Sequence, residues 1–134
     1  MASNTIDQAL NVYVKASTAV QDEISARLFY AEAERDADYP YSVYFLVSDP
    51  HEPMAFDHSL TGQARVQFNT YDDNRYDALR IADVIRDRIH LTADAAMDGV
   101  TVYSVKCSGT IVEPLEEQDI FRARFDALVE YKDA

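Results

Sequence analysis

The sequence predicts an α+β domain in which an antiparallel sheet of about five strands packs with two main α-helices, in the order α-β-β-β-α-β-β. Two segments, near the N-terminus and at residues 74–90, repeat apolar residues at helical spacing. Two others, residues 63–71 and 120–131, alternate apolar and polar residues, as strands with one covered face do. A chain of 134 residues has room for one core, so we expect a single domain over residues 1–134.

The first helix is predicted from residues that share one side at helical spacing: Ile6, Leu10, Tyr13 and Ser17. Asn4 is the expected N-cap, because its side chain can accept from free backbone amides. A second short helical turn is expected from Thr18 to about Ile24, since Thr18 and Gln21 have capping-box spacing.

Three strands are expected next. The first is "RLFYAEA" (27–33) and the second "YSVYFLVS" (41–48), whose apolar residues fall on both faces. This pattern indicates either a central strand or a face in a subunit contact. We expect "DPHEPMAFDHSLTG" (49–62) to be a polar loop. The third strand, "QARVQFNTY" (63–71), places Ala64, Val66 and Phe68 on its covered face.

The second helix is predicted from about Asn74 to His90, with this buried stripe: Ala78, Ile81, Ala82, Ile85 and Ile89. Asp72 or Asp73 is expected to cap its first turn. The spacing also predicts the ion pairs Asp77–Arg80 and Asp83–Arg86 on the solvent side.

Two long strands complete the predicted sheet. Residues 100–112 follow a turn at Gly99 and place Tyr103, Val105 and Cys107 on one face, with a possible bulge at Gly109. "PLEEQD" (114–119) turns the chain. The last strand has one apolar face, formed by Phe121, Ala123, Phe125, Ala127, Val129 and Tyr131.

Composition argues against several function classes. The net charge is −12, from 24 acidic and 12 basic residues, and no cluster of basic residues offers a phosphate-binding surface. "MASNTIDQAL" (1–10) lacks the pattern of a signal peptide, and no apolar stretch is long enough to span a membrane. We therefore expect a soluble protein of the cytoplasm that does not bind nucleic acid specifically.

Two segments are weak candidates for a metal site. Asp72, Asn74 and Asp83 fall at positions 1, 3 and 12 of a calcium loop, but positions 5 and 6 lack the required ligand and glycine. Residues 51–58, "HEPMAFDH", hold two histidines and two acids in no familiar zinc spacing. Capping and solvated side chains explain both segments better, so we expect no metal and no cofactor.

No catalytic residues are expected. Cys107 sits on an apolar strand face without a histidine nearby in sequence, and His90 closes a helix. No phosphate loop or nucleophile motif is present in the sequence. Nine tyrosines suit a partner surface, but they are equally good strand residues.

The combined pattern resembles the phage tail-completion or tail-terminator proteins. "YPYSVYFLVS", a polar loop, "RVQFNTYDDNRYDALRIADVIRDRI", "GVTVYSVKCSG" and a closing amphipathic strand carry the resemblance, from about Ile24 to Tyr131. It implies a non-enzymatic virion protein of the tail or neck, assembled in the host cytoplasm as a homo-oligomer, a hexameric ring. Such a ring caps the tail tube, terminates tail polymerisation and joins the tail to the head connector, so its partners are the tail tube protein and the head–tail connector protein. DNA would pass through the lumen without specific binding.

Candidate contact residues follow from this interpretation. For the tube or connector they are Met54, Phe56 and His58 in the 49–62 loop and Leu115, Glu116 and Glu117 in the 113–119 hairpin. For neighbouring subunits they are Tyr44, Leu46 and the pair Arg122 and Arg124, with the arginines meeting acids of a neighbour.

Two alternatives stay open at this point. A head-proximal connector or neck protein of the same fold would differ in position and not in chemistry. A small α+β hydrolase with a dispersed acidic site would instead require a concave pocket with perturbed carboxylates.

Overall fold

One face of a mixed sheet carries three helices. The structure, a computed structural model, describes residues 6–33, 37–48, 51–54, 57–97, 100–115 and 119–132, and at residues 48, 51–54, 57–62 and 94 it describes the backbone. The helices are α1 (Ile6–Lys15), α2 (Thr18–Ile24) and α3 (Arg75–Ile89). The strands are β1 (Leu28–Tyr30), β2 (Tyr41–Ser48), β3 (His51–Met54), β4 (Asp57–Asp72), β5 (Ala93–Met97), β6 (Val100–Cys107), β7 (Ile111–Leu115) and β8 (Ile120–Lys132).

The sheet follows the order β1-β2-β4-β8-β6-β5, with β3 paired to β4 and β7 paired to β8. Neighbouring strands are antiparallel except β1 and β2, which are parallel. The predicted α+β class is confirmed. The predicted number of about five strands is too low for three reasons. Residues 51–54 (β3) were predicted to be loop, and the single strand predicted at residues 100–112 is divided into β6 and β7. "ADAAM" (β5), three of whose five residues are alanines, gives no strand signal.

The prediction of a polar loop at residues 49–62 is wrong. Residues 51–54 and 57–62 form a β-hairpin in which His51 lies opposite Gly62. The same stretch of β4 also reaches β8, where Thr61 lies opposite Lys132. Backbone pairing does not depend on side-chain polarity, so a polar sequence was compatible with an extended ladder.

The N-terminal helices bury Ile6, Ala9, Leu10, Val14, Val20 and Ile24. Because α1 ends at Lys15, Ser17 does not belong to the predicted stripe. Ser17 instead caps α2, and its side chain accepts from the Val20 amide at 3.4 Å, so the predicted cap at Thr18 is off by one residue. The predicted cap at Asn4 lies outside the described residues.

Helix α3 has the predicted buried stripe and also the predicted Asp77–Arg80 ion pair, at 3.5 Å. Its cap differs from the prediction, since Asn74 Oδ1 accepts from the amides of Tyr76 and Asp77 at 3.0 and 3.1 Å. Asp72 accepts from the amide of Asp73 and caps no helical residue in this way.

The alternation of β4 and β8 is confirmed, and it builds the centre of the core. The rings of Tyr44, Phe68 and Phe125 stack with centroid distances of 5.3 and 5.2 Å. In β6 the register shifts between Val102 and Ser104, which leaves Tyr103 exposed. The prediction that Tyr103 shares a face with Val105 is therefore wrong, and Gly109 lies in the segment between β6 and β7.

Candidate assembly surface

The two faces of the sheet differ in what covers them. The helix face holds Ala64, Val66, Phe68, Ala123 and Phe125, which form one buried cluster with the apolar residues of all three helices. The opposite face, here called the open face, is built from alternate residues of the same strands: Tyr41, Val43, Phe45 and Val47 of β2; Arg65, Gln67, Asn69 and Tyr71 of β4; Arg122, Arg124, Asp126, Leu128, Glu130 and Lys132 of β8; Lys106 of β6; and Ile111 and Glu113 of β7.

Apolar and aromatic side chains remain accessible on the open face. Val47, Ile111 and Leu128 are 49%, 56% and 40% exposed. At the β1 side, the rings of Tyr41 and Tyr71 lie 5.2 Å apart between their centroids. Accessible apolar side chains gathered on one face are typical of a surface that meets another protein.

Three arginines of the open face share two carboxylates. Arg65 binds Asp126 at 3.1 Å, and Asp126 also accepts from the side-chain amide of Gln67 at 3.2 Å. Arg122 and Arg124 both approach the same oxygen of Glu113, Arg122 through Nε at 2.9 Å and Arg124 through Nε at 3.3 Å. These guanidinium groups, with the hydrogen bond from Arg122 first, lower the pKa of Glu113.

The open face also contains Asn69, a buried polar residue whose side-chain oxygen is unsatisfied in the described part of the chain. It is 3% exposed, and its Oδ1 has no hydrogen-bond partner among the described residues. Asn69 lies directly opposite Arg124 in the β4–β8 ladder. The centre of the open face therefore has an excess of guanidinium groups next to an unsatisfied amide oxygen.

Charge is distributed unequally over the molecule. Among the side chains of the open face that the structure describes, five are basic, Arg65, Lys106, Arg122, Arg124 and Lys132, and three are acidic, Glu113, Asp126 and Glu130. The whole chain has 12 basic and 24 acidic residues, so basic residues are over-represented in this group. A locally positive group of side chains on an acidic protein is electrostatically complementary to acidic surface elsewhere on the same protein.

Two adjoining depressions lie where β6 gives way to β7. Their volumes are about 520 and 360 Å³, and both are lined by Ser108 and Asp126. Helix α3 holds this segment, because Arg86 Nε donates to the Ser108 carbonyl at 2.7 Å and Thr110 donates to Asp83 at 2.6 Å. Asp83 and Arg86 thus bind the strand break instead of forming the predicted pair with each other.

The hydrolase alternative requires a perturbed carboxylate in a pocket. Asp72, whose pKa is raised mainly by burial, lines neither depression. The depressions contain Asp126, which is already bound by Arg65 and Gln67. At these two depressions, the buried carboxylate with the raised pKa and the concave surface are therefore separate.

The predicted subunit contacts fall in two environments. Tyr44 is 1% exposed and its hydroxyl donates to the carbonyl of Asp7 at 2.7 Å, so the prediction that it contacts a neighbour is wrong. Burial raises the pKa of Tyr44 to about 12. Leu46 is half-buried against the helix-face core. Arg122 and Arg124 lie on the open face, where their acid is Glu113 of the same chain.

The predicted tube and connector contacts are only partly described. Met54 and His58 lie in the β3–β4 hairpin, with Met54 opposite Asp57. Leu115 is half-buried in β7, opposite Ile120. Phe56, Glu116 and Glu117 lie outside the described residues. These contacts stay predictions.

The calcium-like segment has an ordinary structural role, because Asn74 caps α3 and Asp83 binds Thr110. Among the described residues, no three His, Cys, Asp or Glu side chains come close enough to hold a metal ion. Cys107 is half-buried on β6, and burial raises the pKa of its thiol to about 11. Its amide donates to His90 Nδ1 at 3.0 Å.

None of the described helices is long and apolar enough to cross a membrane.

Comparison with known proteins identifies a structural neighbour and no family. No family model matches the chain, and no curated protein matches it. The fold is similar to that of a chain in the solved structure of the virion of a native gene transfer agent particle, with a TM-score of 0.64. The two chains share 13% identity, and the match covers 98% of each. The neighbour thus has the same fold from end to end.

Proposed function

We propose that this chain is a structural protein of a virion, a tail terminator that forms a ring on the end of the tail tube. The ring would stop tail polymerisation and join the tail to the head connector. The observation that carries the proposal is the fold match to a chain of a gene transfer agent virion, which leaves almost no part of either chain unmatched. The sequence resemblance to tail-completion and tail-terminator proteins is in keeping with it.

The open face supports a role in assembly. It presents exposed apolar side chains beside Arg65, Arg122 and Arg124, whereas most of the acidic residues lie elsewhere on the chain. A contact between this face and an acidic surface of the next copy joins two different patches, and such heterologous contacts close into rings when the rotation permits. Arg122 and Arg124 remain our candidates for subunit contacts there, with Leu46 on the neighbouring border.

The net charge supports passage of DNA. Six copies would carry 6 × −12 = −72 charges. An acidic ring repels the phosphate backbone, so DNA would pass through the lumen without being held.

The hairpins are the proposed contacts with the tube and the connector. Met54 is the last residue of β3, His58 is the second residue of β4, and Phe56 falls between these strands in sequence. Leu115 is the last residue of β7, and Glu116 and Glu117 follow it in sequence.

The first experiment measures the mass of the purified chain by light scattering over a dilution and salt series, alone and with tail tubes assembled from the same genome. A particle near six times 15.2 kDa, or a monomer that forms rings only on tubes, is the expected result. A monomer indifferent to tubes at every concentration overturns the proposal.

Paired aspartate substitutions then locate the contacts. Ile111→Asp with Leu128→Asp should prevent ring formation, whereas Val12→Asp, at a 51% exposed position of α1, should not. Met54→Asp with Phe56→Asp should leave the ring intact but abolish tail capping. Normal capping by that variant would remove the hairpin from the proposed contacts.

A neck connector of the same fold is distinguished by position. Gold-labelled chain on purified particles should lie at the end of the tail tube; label found only on tail-less heads would favour the connector.

A further inference from the structure

The sheet has two borders: at one of them β1 covers only part of β2, and at the other β5 is the terminal strand. At one border β1 lies beside Ser42–Tyr44, so among the described residues no strand lies beside Phe45–Ser48. The chain leaves this border at Ala31, whose amide makes the last bond to β2, to the Tyr44 carbonyl at 2.8 Å, and whose φ is 68°. At the other border β5 is the terminal strand, and it lies beside Val100–Ser104 of β6.

These two border segments lack the usual protection of an open edge. Proteins blunt exposed strand edges with proline, lysine or other charges, because free backbone amides and carbonyls recruit another strand. Two other edge strands contain proline, Pro53 in β3 and Pro114 in β7. Segment 45–48, "FLVS", has neither proline nor charge, and β5, "ADAAM", has Asp94 as its one charged residue.

Strand direction makes the two segments compatible. From β2 to β5 the path β2-β4-β8-β6-β5 contains four antiparallel steps, so β5 runs in the same direction as β2. If two copies stand side by side in the same orientation, β5 of one is parallel to β2 of the next. This is the relation that β1 already has with β2.

We propose that the sheet continues from copy to copy, with β5 of one protomer paired in parallel to Phe45–Ser48 of the next, in line with β1. The occupant of the open segment is thus a second copy of this chain. The contact joins two different edges, so each copy can bind a further copy in the same direction. The assembly closes into a ring when the rotation between neighbouring copies divides a full turn.

Register supports a closed arrangement. Phe45 and Leu46 lie in line with Gln67 and Val66, in the middle of the β4–β8 ladder, whereas β5 lies in line with one end of that ladder, near Thr61 and Lys132. Pairing these segments therefore staggers each copy along the strands. A sheet can close on itself only when its strands are tilted and its register is staggered in this way.

The inference rests on the proposed ring, and amide hydrogen exchange separates the two claims. Exchange is measured by mass spectrometry on dilute monomer and on assembled particles of the full chain. We expect peptides covering 45–48 and 93–97 to gain at least tenfold protection on assembly, while peptides of α1, which carries the exposed control position Val12, gain none. Rings without protection at 45–48 overturn the edge contact and leave the ring standing.

Other outcomes are equally decisive. A chain that never assembles, alone or on tubes, overturns both claims. Protection at 45–48 in particles that ignore tail tubes keeps the edge contact and removes the terminator role. In a further outcome, segment 45–48 is protected only when tube protein is added, and segment 93–97 is not protected. That result assigns segment 45–48 to the contact with the tube and overturns pairing with a second copy.

Proline substitutions test the same contact at single residues. Ala93 and Ala96 are both exposed, and they are three residues apart in β5. Because backbone N–H groups alternate in direction along a strand, the N–H of one points toward β6 and the N–H of the other points away from it. We expect one of the variants Ala93→Pro and Ala96→Pro to keep the native circular dichroism spectrum and yet remain monomeric.

The matched controls Ala93→Ser and Ala96→Ser retain the backbone N–H and should assemble normally. If every proline variant that folds assembles like the parent chain, the proposal is overturned. If both proline variants unfold, the exchange measurement on the parent chain decides.

Discussion

The helix face and the open face are formed by alternate residues of the same strands, yet they differ in what covers them and in the charge that they carry. In β8, Ala123, Phe125 and Ala127 are buried under the helices, whereas their neighbours Arg124 and Asp126 take part in ion pairs. The period of two in the strand separates the residues that hold the fold from those available for assembly.

The energetics of the two faces differ accordingly. Burying one large apolar side chain stabilises a protein by about 1.5–3 kcal/mol, whereas an exposed ion pair contributes about 0–1 kcal/mol. The helix face therefore supplies most of the folding free energy. The open face is left to carry charge and exposed apolar groups, which are useful in a contact with another protein.

The largest expected effect is in the ring stack of the helix face. Phe125→Ala should lower the free energy of unfolding by about 3–5 kcal/mol, because it leaves a cavity beside Phe68. Urea denaturation of the monomer measures it. Leu128→Ala, three residues further on the open face, is the control and should cost less than about 1 kcal/mol. Equal losses would contradict the division between the faces.

Thiol reactivity gives the second contrast. Below pH 9, the thiolate fraction of Cys107 should be about 100-fold lower than that of a free thiol, because burial raises its pKa from 9.0 to about 11. The rate of alkylation against pH measures this. Since the protonated form is favoured in the folded state, the stability it contributes is present below pH 9 and is lost as the pH rises from 9 to 11.

A thiol on the adjacent open-face residue is the matched control. Lys106→Cys in a Cys107→Ser background should react at the rate of an exposed cysteine, because Lys106 is exposed. Similar alkylation rates at the two positions would show that burial does not protect Cys107.

The cover of the helix face depends on how α3 begins. Asn74→Ala should cost about 1 kcal/mol, since Asn74 accepts from two otherwise free amides. Asp73→Ala should cost less than about 0.5 kcal/mol, because the structure assigns the cap to Asn74. Thermal melts of the monomer compare the two, and a larger loss for Asp73→Ala would restore the cap predicted from sequence.

The smallest effect is expected on the open face. Glu113→Gln should change the monomer's stability by less than about 0.5 kcal/mol at pH 7, because the pair with Arg122 is partly exposed. The pKa of Glu113 is lowered, so its contribution is present above pH 4.5 and is lost as the pH falls through the lowered pKa. Denaturation at pH 7 and pH 3 measures it, with Glu130→Gln as control; a loss comparable to that of Phe125→Ala would contradict this view of the face.

Prediction from sequence succeeded for elements whose apolar residues recur at the regular spacing of a helix or a strand. The stripe of α3 and the alternation of β8 were predicted residue by residue, because each period is a local property of the backbone. The strands β3 and β5, the interruption after β6 and the shift at Tyr103 were missed, because partner strands decide them.

The candidate site divides in the same way. The sequence placed Arg122 and Arg124 on a polar strand face, and alternation sufficed for that. It did not place Tyr44 in the core or bring Glu113 to the arginines, since both depend on which strands become neighbours. The exposed apolar residues Ile111 and Leu128 lie among polar ones, which was the one available sign that this face is more than solvated surface.

By itself, the sequence determined the fold class, the two long amphipathic elements and the charge, because these follow from composition and local periodicity. Only the tertiary structure decided that, in the described part of the chain, one sheet face is left without helices, that three arginines there share two carboxylates, and that Phe45–Ser48 of β2 and strand β5 lie at the borders of the sheet. Strand order is a long-range choice, and pairing energy depends on backbone geometry more than on the residue types that a pattern records.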